Sequence, residues 1–443
     1  MQFPCRSCRC LWVTLLYSRV MRSAALILLL YMVLLTCPLP AQTPASAPVR
    51  NLPLVSSQIH PDGRVTFRIA ASKASEVTLS GDWVDVPTTT TLVKDEQGVW
   101  ATTIGPLRPD DYLYWFTVDG VPTPDPGNPT VHQRTHAVQN VLHVPGPAIT
   151  FAENQAVPHG EIRQIRYISS VGKSARRMHI YTPPGYEGGN SRYPVLYLLH
   201  GGGDDDAAWA SIGRGGFILD NLLAAKKAKP MLAIMPDLNK PRSEGARPVG
   251  GIVAPAKEFA QELLQDILPL VERTYRVMSG AQNRAVAGVS VGGYATLHLL
   301  AHNAAEFGYF GIWSAPVEQK TIEAARTLYA PLFDKPDLVV KQRKRIWLRV
   351  GEKDSGANSV RALADLLQQH AIPHDLRVSE GGASLESMAG VSTRLCSGHF
   401  RASESLAPRG PVLLSGRLRA LLRARGGVPR AFSSWELQWA RRA

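Results

Sequence analysis

The stretch from Asn283 to Thr296, Asn-Arg-Ala-Val-Ala-Gly-Val-Ser-Val-Gly-Gly-Tyr-Ala-Thr, constrains the fold more than any other part of the chain. A short apolar run leads into Gly-Val-Ser-Val-Gly-Gly, and a helix-forming run over 294–300 comes next. A strand, a tight turn and a helix in this order, with Ser290 at the apex of Gly-x-Ser-x-Gly, predict a nucleophile elbow. The alternative is a glycine-rich turn without a chemical role, because the five-residue pattern also occurs by chance.

Such an elbow requires glycines on both sides of the serine. The serine takes a strained backbone conformation, and side chains at Gly288, Gly292 or Gly293 would collide with the strand or the helix. The hydroxyl of Ser290 is then exposed, and the amide of Val291 points to the place where an oxyanion would form.

From Gly160 onward, apolar strand-like runs alternate with helical patterns. Examples are the strands expected at 193–200 and 230–237 and the amphipathic helix expected at 258–275. This alternation predicts a mostly parallel sheet covered by helices. Because sites in such folds lie at the carboxyl ends of the strands, we expect His200, Ser290 and Asp354 on one rim of the sheet.

Residues 160–382 resemble the esterase D branch of the α/β-hydrolases, which includes feruloyl and acetylxylan esterases of carbohydrate esterase family 1 and ferric enterobactin esterases. The motifs that carry the resemblance are Tyr181-Thr-Pro-Pro-Gly-Tyr, Val195-Leu-Tyr-Leu-Leu-His-Gly-Gly-Gly, Phe217-Ile-Leu-Asp-Asn, Gly288-Val-Ser-Val-Gly-Gly and Gly351-Glu-Lys-Asp. The resemblance implies an α/β-hydrolase fold and no metal or organic cofactor. It makes Ser290 the nucleophile that attacks an ester carbonyl and Asp354 the acid that orients an imidazole. An ordinary turn aspartate is the alternative for Asp354.

The loop after the strand at 193–200 supplies the second half of the expected oxyanion site. In the related enzymes one amide of this loop joins that of Val291, and Gly201 is the candidate here. His200 is expected to be structural rather than a general base. The acidic run 204–206 is interpreted as a solvated loop edge rather than a calcium site.

The general base is where the chain departs from the family. The chain order serine, acid, histidine places the histidine after the strand at 375–378, in a Gly-Gly-His-x-Trp context. Here Gly-Gly is followed by Ala383. Downstream only His399 remains, in an aperiodic stretch that makes it a poor candidate, and His370 and His374 precede the required loop. The sequence therefore leaves the base unassigned.

The tail, 383–443, differs from the rest of the chain. From residue 384 it contains ten arginines and no lysine. The segment Leu385–Gly390 can be written CTG GAA TCC ATG GCG GGN, and loss of one base gives TGG AAT CCA TGG CGG, or Trp-Asn-Pro-Trp-Arg. That product closely resembles the segment after the histidine in the family. We therefore predict that this tail comes from a shifted reading frame and packs poorly; a genuine but divergent tail is the alternative.

Short alternating or apolar runs separated by turn residues predict a β-sandwich over 53–146. The motifs that resemble the immunoglobulin-like family 48 carbohydrate-binding modules are Gly81-Asp-Trp, Gly98-Val-Trp, Tyr112-Leu-Tyr-Trp-Phe and Asp125-Pro-Gly-Asn-Pro. Trp83, Trp100 and Trp115 are candidates either for a sugar-stacking platform or for core packing, and packing is the commoner use.

The first 42 residues are typical of a targeting segment. An arginine precedes an apolar run over 24–35, which is short for a membrane span, and a small residue near Ala41 comes after it. We expect a signal sequence at 1–42, with Met21 as the natural start, and a Pro/Ala/Ser linker at 43–52. The mature protein would then be secreted or periplasmic, with no stable membrane span and no disulfide framework.

The net charge of +13 suggests a nucleic-acid partner, but its distribution does not. Residues 1–42 carry +4 and residues 384–443 carry +7, which leaves +2 for the body. Nucleic acid is therefore not the expected partner. We expect an exported serine ester hydrolase of carbohydrate-esterase type that acts on an ester or glycan ester, with a polysaccharide as a second candidate partner. A catalytically dead glycan-binding protein and an acyltransferase to a sugar are the alternatives. The sequence leaves feruloyl, acetyl and siderophore esters open.

Overall fold

A computed structural model describes most of the chain between residues 54 and 379. The described ranges are 54–135, 137–239, 253–315, 326–327, 329–342 and 344–379. The predicted leader 1–42, the linker 43–52 and the tail 383–443, with Ala383 and His399, lie outside these ranges. The described helices include none that is long and apolar enough to cross a membrane.

The amino-terminal part is built from antiparallel strands. Before residue 145 the described strands are β1 (Gln58–Ile59), β2 (Val65–Ala70), β3 (Val77–Gly81), β4 (Thr89–Thr91), β5 (Val93–Lys94), β6 (Val99–Ile104), β7 (Asp110–Val118), β8 (Val121–Thr123), β9 (Val131–Gln133) and β10 (Val138–Val144). One sheet has the order β1-β2-β6-β5, and the other has the order β4-β3-β7-β10-β9, with β8 beside β7. Apolar side chains alternate along these strands and form one buried cluster that contains Phe67, Trp83, Tyr114 and Phe116. The predicted β-sandwich is confirmed.

Two of the three candidate platform tryptophans are core residues. Trp83 is buried and donates from Nε1 to the carbonyl of Pro87 (2.8 Å). Trp100 is also buried and donates to the carbonyl of Ala71 (2.9 Å). A buried indole whose N–H is already hydrogen-bonded is not available to stack on a sugar. Trp83 and Trp100 therefore favour core packing over a sugar-stacking platform. Trp115 on β7 is half-buried and stays a candidate for contact with a sugar.

The second part contains a larger sheet flanked by helices. Its strands are β11 (Glu161–Ser169), β12 (Ser174–Thr182), β13 (Val195–Leu199), β14 (Leu232–Pro236), β15 (Arg284–Val289), β16 (Tyr309–Trp313), β17 (Arg345–Gly351) and β18 (Asp375–Ser379). The helices described here are α1 (Gly215–Ala224), α2 (Val253–Glu262), α3 (Leu268–Thr274), α4 (Val291–His302), α5 (Ala330–Asp334), α6 (Asp337–Val340) and α7 (Ala357–Gln369).

The larger sheet has the order β11-β12-β14-β13-β15-β16-β17-β18. The β11–β12 and β12–β14 pairs are antiparallel, and the pairs from β14 to β18 are parallel. Apolar clusters cover both faces: on β15, Val286 belongs to one cluster, and Ala285 and Ala287 belong to the other. Strands buried on both faces explain the continuous apolar runs of the sequence. The predicted α/β-hydrolase fold, with a mostly parallel sheet, is confirmed.

The helix expected over 258–275 is interrupted by a wider turn. A π-helical segment, Leu263–Ile267, separates α2 from α3. Pro269 lies in the first turn of α3 and has no amide to donate to a preceding carbonyl, which gives a physical reason for the interruption.

A buried connector joins the two parts. The turn Pro147–Ala152 buries Ile149 and Ala152, and Asn221 on α1 donates from Nδ2 to the carbonyls of Phe151 (2.9 Å) and Glu153 (2.7 Å). The described residues between Ser56 and Ser379 form one compact unit. The domain limits expected from the sequence, 53–146 and 160–382, stay predictions.

Candidate active site

Ser290 lies between β15, which ends at Val289, and α4, which begins at Val291. Its backbone has φ 52° and ψ −112°, in the region that residues other than glycine rarely adopt. The amide of Ser290 donates to the carbonyl of Trp313 on the neighbouring strand β16 (2.9 Å), and its own carbonyl accepts from the amide of Tyr294 (3.1 Å). These two bonds hold the serine at the apex of a strand–turn–helix.

The three glycines around this turn stand where no side chain fits. A Cβ on Gly288 would lie 2.4 Å from the carbonyl carbon of Gly292, so β15 and α4 could not approach each other as closely as they do. A Cβ on Gly292 would lie 2.6 Å from the carbonyl oxygen of Leu199, and one on Gly293 would lie 3.1 Å from that of Trp313. The glycine pattern therefore follows from the close approach of α4 to β13, β15 and β16.

The residues His200–Asp206, which follow β13 and are called the 200–206 loop below, lie beside the serine. The amide of Gly292 donates to the carbonyl of His200 (3.1 Å), which ties this loop to the start of α4. A Cβ on Gly201 would lie 3.8 Å from the Cβ of Ser290. In the described part of the chain, the amides of Gly201, Gly202 and Val291 donate to no protein acceptor. A developing oxyanion needs unpaired amides of this kind, at a helix amino terminus and in the facing loop.

His200 is a structural residue of this loop. Its side chain is 2 % exposed, and its Nδ1 lies 2.7 Å from the carbonyl oxygen of Gly201. The amide of Leu238 lies 2.9 Å from its Nε2, and Oδ1 of Asp237 lies 3.3 Å from the same nitrogen. Both ring nitrogens of His200 therefore have partners other than Ser290, which fits the structural role expected from the sequence.

Asp354 lies in the turn that follows β17. One carboxylate oxygen, Oδ1, accepts from the amide of Gly356 (2.7 Å), and the carbonyl of Asp354 accepts from the amide of Ala357 (3.0 Å) at the start of α7. Asp354 is half-buried, and its Oδ2 meets no hydrogen-bond donor among the described residues. The residue therefore shapes a turn and keeps one oxygen available for an imidazole. Because β15, β16 and β17 are parallel neighbours, Ser290 and Asp354 lie on the same rim of the sheet.

No described side chain hydrogen-bonds to the hydroxyl of Ser290. His374 precedes β18, at the amino end of the strand, and its Nδ1 contacts the carbonyl of Ile372 (3.0 Å). His370 packs against Phe333 with ring centroids 5.0 Å apart. These two histidines lie at the other end of the sheet from the serine. The family position of the base, Ala383, and His399 are both outside the described ranges.

The interpretation of 204–206 as a solvated edge is wrong. Asp206 is 1 % exposed, and its two carboxylate oxygens contact Arg177 Nε (2.6 Å) and His179 Nδ1 (2.8 Å) on β12. Asp205 pairs with the same arginine, and Asp204 contacts side chains of the β-sandwich. Each carboxylate is thus paired with arginine or histidine, and the run fixes the 200–206 loop to its surroundings. No sequence pattern signals these partners, because they are far away along the chain.

Comparisons with known proteins identify the family of the chain. The sequence profile of the putative esterase family matches residues 169–399, which is more than half of the chain. An endo-1,4-beta-xylanase/feruloyl esterase of Xylanibacter ruminicola is 31% identical over 303 residues, which are 66% of this chain and 40% of that protein. An esterase of Mycobacterium tuberculosis is 27% identical over 243 residues, 46% of this chain and 52% of its own length. The chain thus spans about half or less of these two relatives.

A solved structure with the same fold is the enterobactin esterase FES of Shigella flexneri in the presence of enterobactin. It aligns with a TM-score of 0.57 and 18% identity, over 75% of this chain and 91% of that chain. At this identity the likeness shows the common fold and nothing finer.

Proposed function

The chain belongs to the putative esterase family, and from this premise we propose that it is a serine carboxylic-ester hydrolase of carbohydrate-esterase type. The observation that carries the proposal is the geometry of Ser290. It stands at the strained turn between β15 and α4, beside two backbone amides, those of Val291 and Gly201, that have no described acceptor. This arrangement suits acyl transfer, because it presents a nucleophile and the donors for a tetrahedral oxyanion at one point.

The reaction follows from these positions. The hydroxyl oxygen of Ser290 attacks the ester carbonyl, and the carbonyl oxygen, now negative, accepts from the amides of Val291 and Gly201. The alcohol leaves with a proton, and an acyl-enzyme stays on the serine. Water then attacks that ester through a second oxyanion and releases the acid. Asp354 would orient the imidazole that moves these protons, and the family places that imidazole where this chain has Ala383.

The substrate we propose is an ester attached to a glycan. The support is the relative named as a xylanase and feruloyl esterase, together with the β-sandwich that precedes the hydrolase part. The leader that the sequence predicts at 1–42 supports export to the periplasm or the medium. A polysaccharide contact through Trp115 belongs to the same proposal.

One observation favours a second function. The described part of the chain offers no base to the hydroxyl of Ser290, and a serine without a base is a weak nucleophile. A glycan-binding protein that has lost catalysis would keep the fold and the elbow but would lack the base for Ser290. Transfer of the acyl group to a sugar uses the same elbow and is the third candidate.

An assay with p-nitrophenyl acetate separates these functions. Turnover by the chain that disappears in Ser290→Ala supports the esterase. A chain that is inert but retained on xylan supports the binding protein. If added trehalose or another sugar becomes acylated, and release of free acetate falls correspondingly, the protein is an acyltransferase.

A further inference from the structure

The hairpin between β9 and β10 of the β-sandwich reaches the 200–206 loop of the hydrolase part. Arg134 donates from Nη2 to the carbonyl of Gly202 (2.9 Å), and the amide of Thr135 donates to the carbonyl of Gly203 (2.8 Å). The Thr135 hydroxyl lies 3.3 Å from the carbonyl of Asp204. Two successive residues of the hairpin thus hold successive carbonyls of the loop.

Gly203 leaves room for the guanidinium of Arg134. Its φ is +83°, and a Cβ there would lie 2.8 Å from Nη2 and 3.4 Å from Cζ of Arg134. The guanidinium therefore packs on the loop backbone at the place where a side chain would otherwise stand. Glycine is required at this position for its left-handed conformation and also for this contact.

Asp204 connects the hairpin to the neighbourhood of the nucleophile. Its Oδ1 lies 3.1 Å from Arg134 Nε and 3.2 Å from Nε2 of the buried His132. The Asp204 amide donates to the carbonyl of Gly201 (3.4 Å). A Cβ on Gly201 would lie 3.6 Å from Oδ2 of Asp204 and 3.8 Å from the Cβ of Ser290. Hydrogen bonds and ion pairs therefore connect Arg134 to Asp204 and Asp204 to Gly201, whose Cα faces the Cβ of Ser290 closely enough to leave little more than the space of one methyl group.

The far end of the loop is held separately. Arg177 on β12 binds Asp205 and Asp206, and His200 is fixed by its own hydrogen bonds at the near end. The segment between these anchors contains Gly201, Gly202 and Gly203, and three glycines in a row have little stiffness of their own. The contacts of Arg134, together with those of Thr135 and His132, therefore hold the conformation of this segment.

We propose that Arg134 is a positioning residue for the oxyanion site. It fixes the carbonyl of Gly202 and the carboxylate of Asp204 together, and so sets the amide of Gly201 relative to Ser290. This inference rests on the proposed function, because it assigns the β-sandwich a part in that reaction. A planar guanidinium with several donors can bind both acceptors at once, which a lysine ammonium cannot do in the same geometry.

The test compares Arg134→Gln, Arg134→Lys and Gly203→Ala with the wild-type chain. Arg163→Gln is the matched control, since Arg163 is an exposed arginine that pairs with Glu161 and Glu187 on the surface. Gly203→Ala displaces the same guanidinium from the loop side but also strains the loop at φ +83°, so its result is interpreted only together with that of Arg134→Gln. Amide hydrogen exchange is followed by mass spectrometry in peptides that cover 131–137 and 200–208, with the β2 peptide as the measure of intact folding.

We expect exchange in both contact peptides to become about tenfold faster in Arg134→Gln and Gly203→Ala, and unchanged in the control and in β2. For p-nitrophenyl acetate, kcat should fall about tenfold while KM stays within twofold. The donor is displaced rather than removed, and complete loss of one oxyanion donor costs about 10²–10³ in kcat. Arg134→Lys should lie between wild type and Arg134→Gln in both measurements.

The two readouts separate the positioning role from the proposed function. If neither the chain as written nor the chain with the reading frame restored from residue 383 hydrolyses the ester, the proposed function fails, and the exchange measurement alone decides the role of Arg134. If the loop exchanges at the wild-type rate in Arg134→Gln, the positioning role is wrong whatever happens to turnover. A rise in KM with unchanged kcat would also overturn it, because that pattern marks uniform binding of the substrate.

Discussion

Lys353 Nζ lies 2.8 Å from Oδ1 of Asp85, so the turn that carries Asp354 is tied to the β3–β4 loop of the β-sandwich. Arg108 Nε lies 2.9 Å from the other oxygen of Asp85. Arg134 of the β9–β10 hairpin also binds the 200–206 loop, so the β-sandwich contacts both the loop beside Ser290 and the turn that carries Asp354. The sandwich is therefore part of the scaffold of the site and not merely a neighbour along the chain.

Replacement of Lys353 by glutamine should have a small effect that depends on pH. The hydrogen bond from Lys353 lowers the pKa of Asp85 below its ordinary value of 3.8. A carboxylate with a lowered pKa stabilises the fold above its ordinary pKa, and this stabilisation is lost as the pH falls through the folded value. Because the pair is partly exposed, Lys353→Gln should lower the free energy of unfolding at pH 7 by less than about 1 kcal/mol. Urea titrations at pH 7 and pH 3 should show that the difference in unfolding free energy between wild type and Lys353→Gln is smaller at pH 3. A larger difference at pH 3 would contradict the assigned pairing of Lys353 with Asp85.

Gly292→Ala should destabilise the protein. The added Cβ would lie 2.6 Å and 2.7 Å from the carbonyl oxygens of Leu199 and His200, and backbone atoms cannot move aside cheaply. Overpacking of this kind costs about 1–3 kcal/mol, which a shift in the urea midpoint measures. Gly188→Ala is the control, because a Cβ there meets nothing within 4 Å, and it should change stability by less than about 0.5 kcal/mol. Equal effects of the two substitutions would mean that the elbow tolerates side chains.

The elbow could be predicted from the sequence because its determinants are local. The strand, the serine, the glycines and the helix are consecutive, and the close approaches that require Gly288 and Gly292 involve the same turn and the adjacent strand. The parallel sheet was likewise predictable, since strands buried on both faces appear as continuous apolar runs.

The contacts of the 200–206 loop could not be predicted in the same way. Arg134 and Asp204 are far apart in sequence and belong to different sheets, and no periodicity relates them. The acidic run was misinterpreted because its partners, Arg177 and His179, occupy alternate positions of a strand that looks ordinary by itself. Sequence patterns show which residues carry charge, whereas the pairing of charges is decided by tertiary packing.

Acid should destabilise the fold through His298 on α4. Burial lowers the pKa of this buried imidazole from 6.5 to about 4, helped by the charges of His302 and Lys257. An imidazole with a lowered pKa contributes its full stabilisation above pH 6.5 and loses it as the pH falls towards 4. The loss should reach about 3 kcal/mol, by the conversion of 1.36 kcal/mol for each pKa unit.

Urea unfolding at pH 7.5 and pH 4.5 tests this expectation. His298→Gln cannot take up the proton, so its stability should fall less over this range than that of the wild-type chain. His302→Gln should reduce the loss in part, because it removes a neighbouring charge whose ring centroid lies 4.4 Å away. An unchanged pH dependence in His298→Gln would show that other groups cause the acid sensitivity.

The tryptophans of the β-sandwich should differ in their effects. Trp83 is buried against Phe67, with ring centroids 5.9 Å apart, so Trp83→Ala should cost about 3–5 kcal/mol of stability. Trp115 is half-buried, and Trp115→Ala should cost less while weakening retention of the protein in gels that contain xylan. Affinity electrophoresis and thermal unfolding check the two outcomes. Retention that is unaffected by Trp115→Ala would remove this residue as a sugar contact.

The chain as written should be nearly inert towards activated esters despite its elbow. At the position where the sequence predicts the family's histidine, this chain has Ala383. Loss of a triad serine or histidine costs about a millionfold in kcat in subtilisin, which leaves roughly 10³–10⁴ over water. Restoring the reading frame from residue 383 should therefore raise turnover of p-nitrophenyl acetate by several orders of magnitude, and Ser290→Ala in the restored chain should abolish the gain. The single change Ala383→His is expected to restore less, because the tryptophan-containing segment after the family's histidine would still be missing. Two measurements test this prediction: sequencing of the locus through codon 383, and the turnover of the unmodified and the frame-restored chains. High activity of the unmodified chain that disappears in His399→Ala would make His399 the base and the tail genuine.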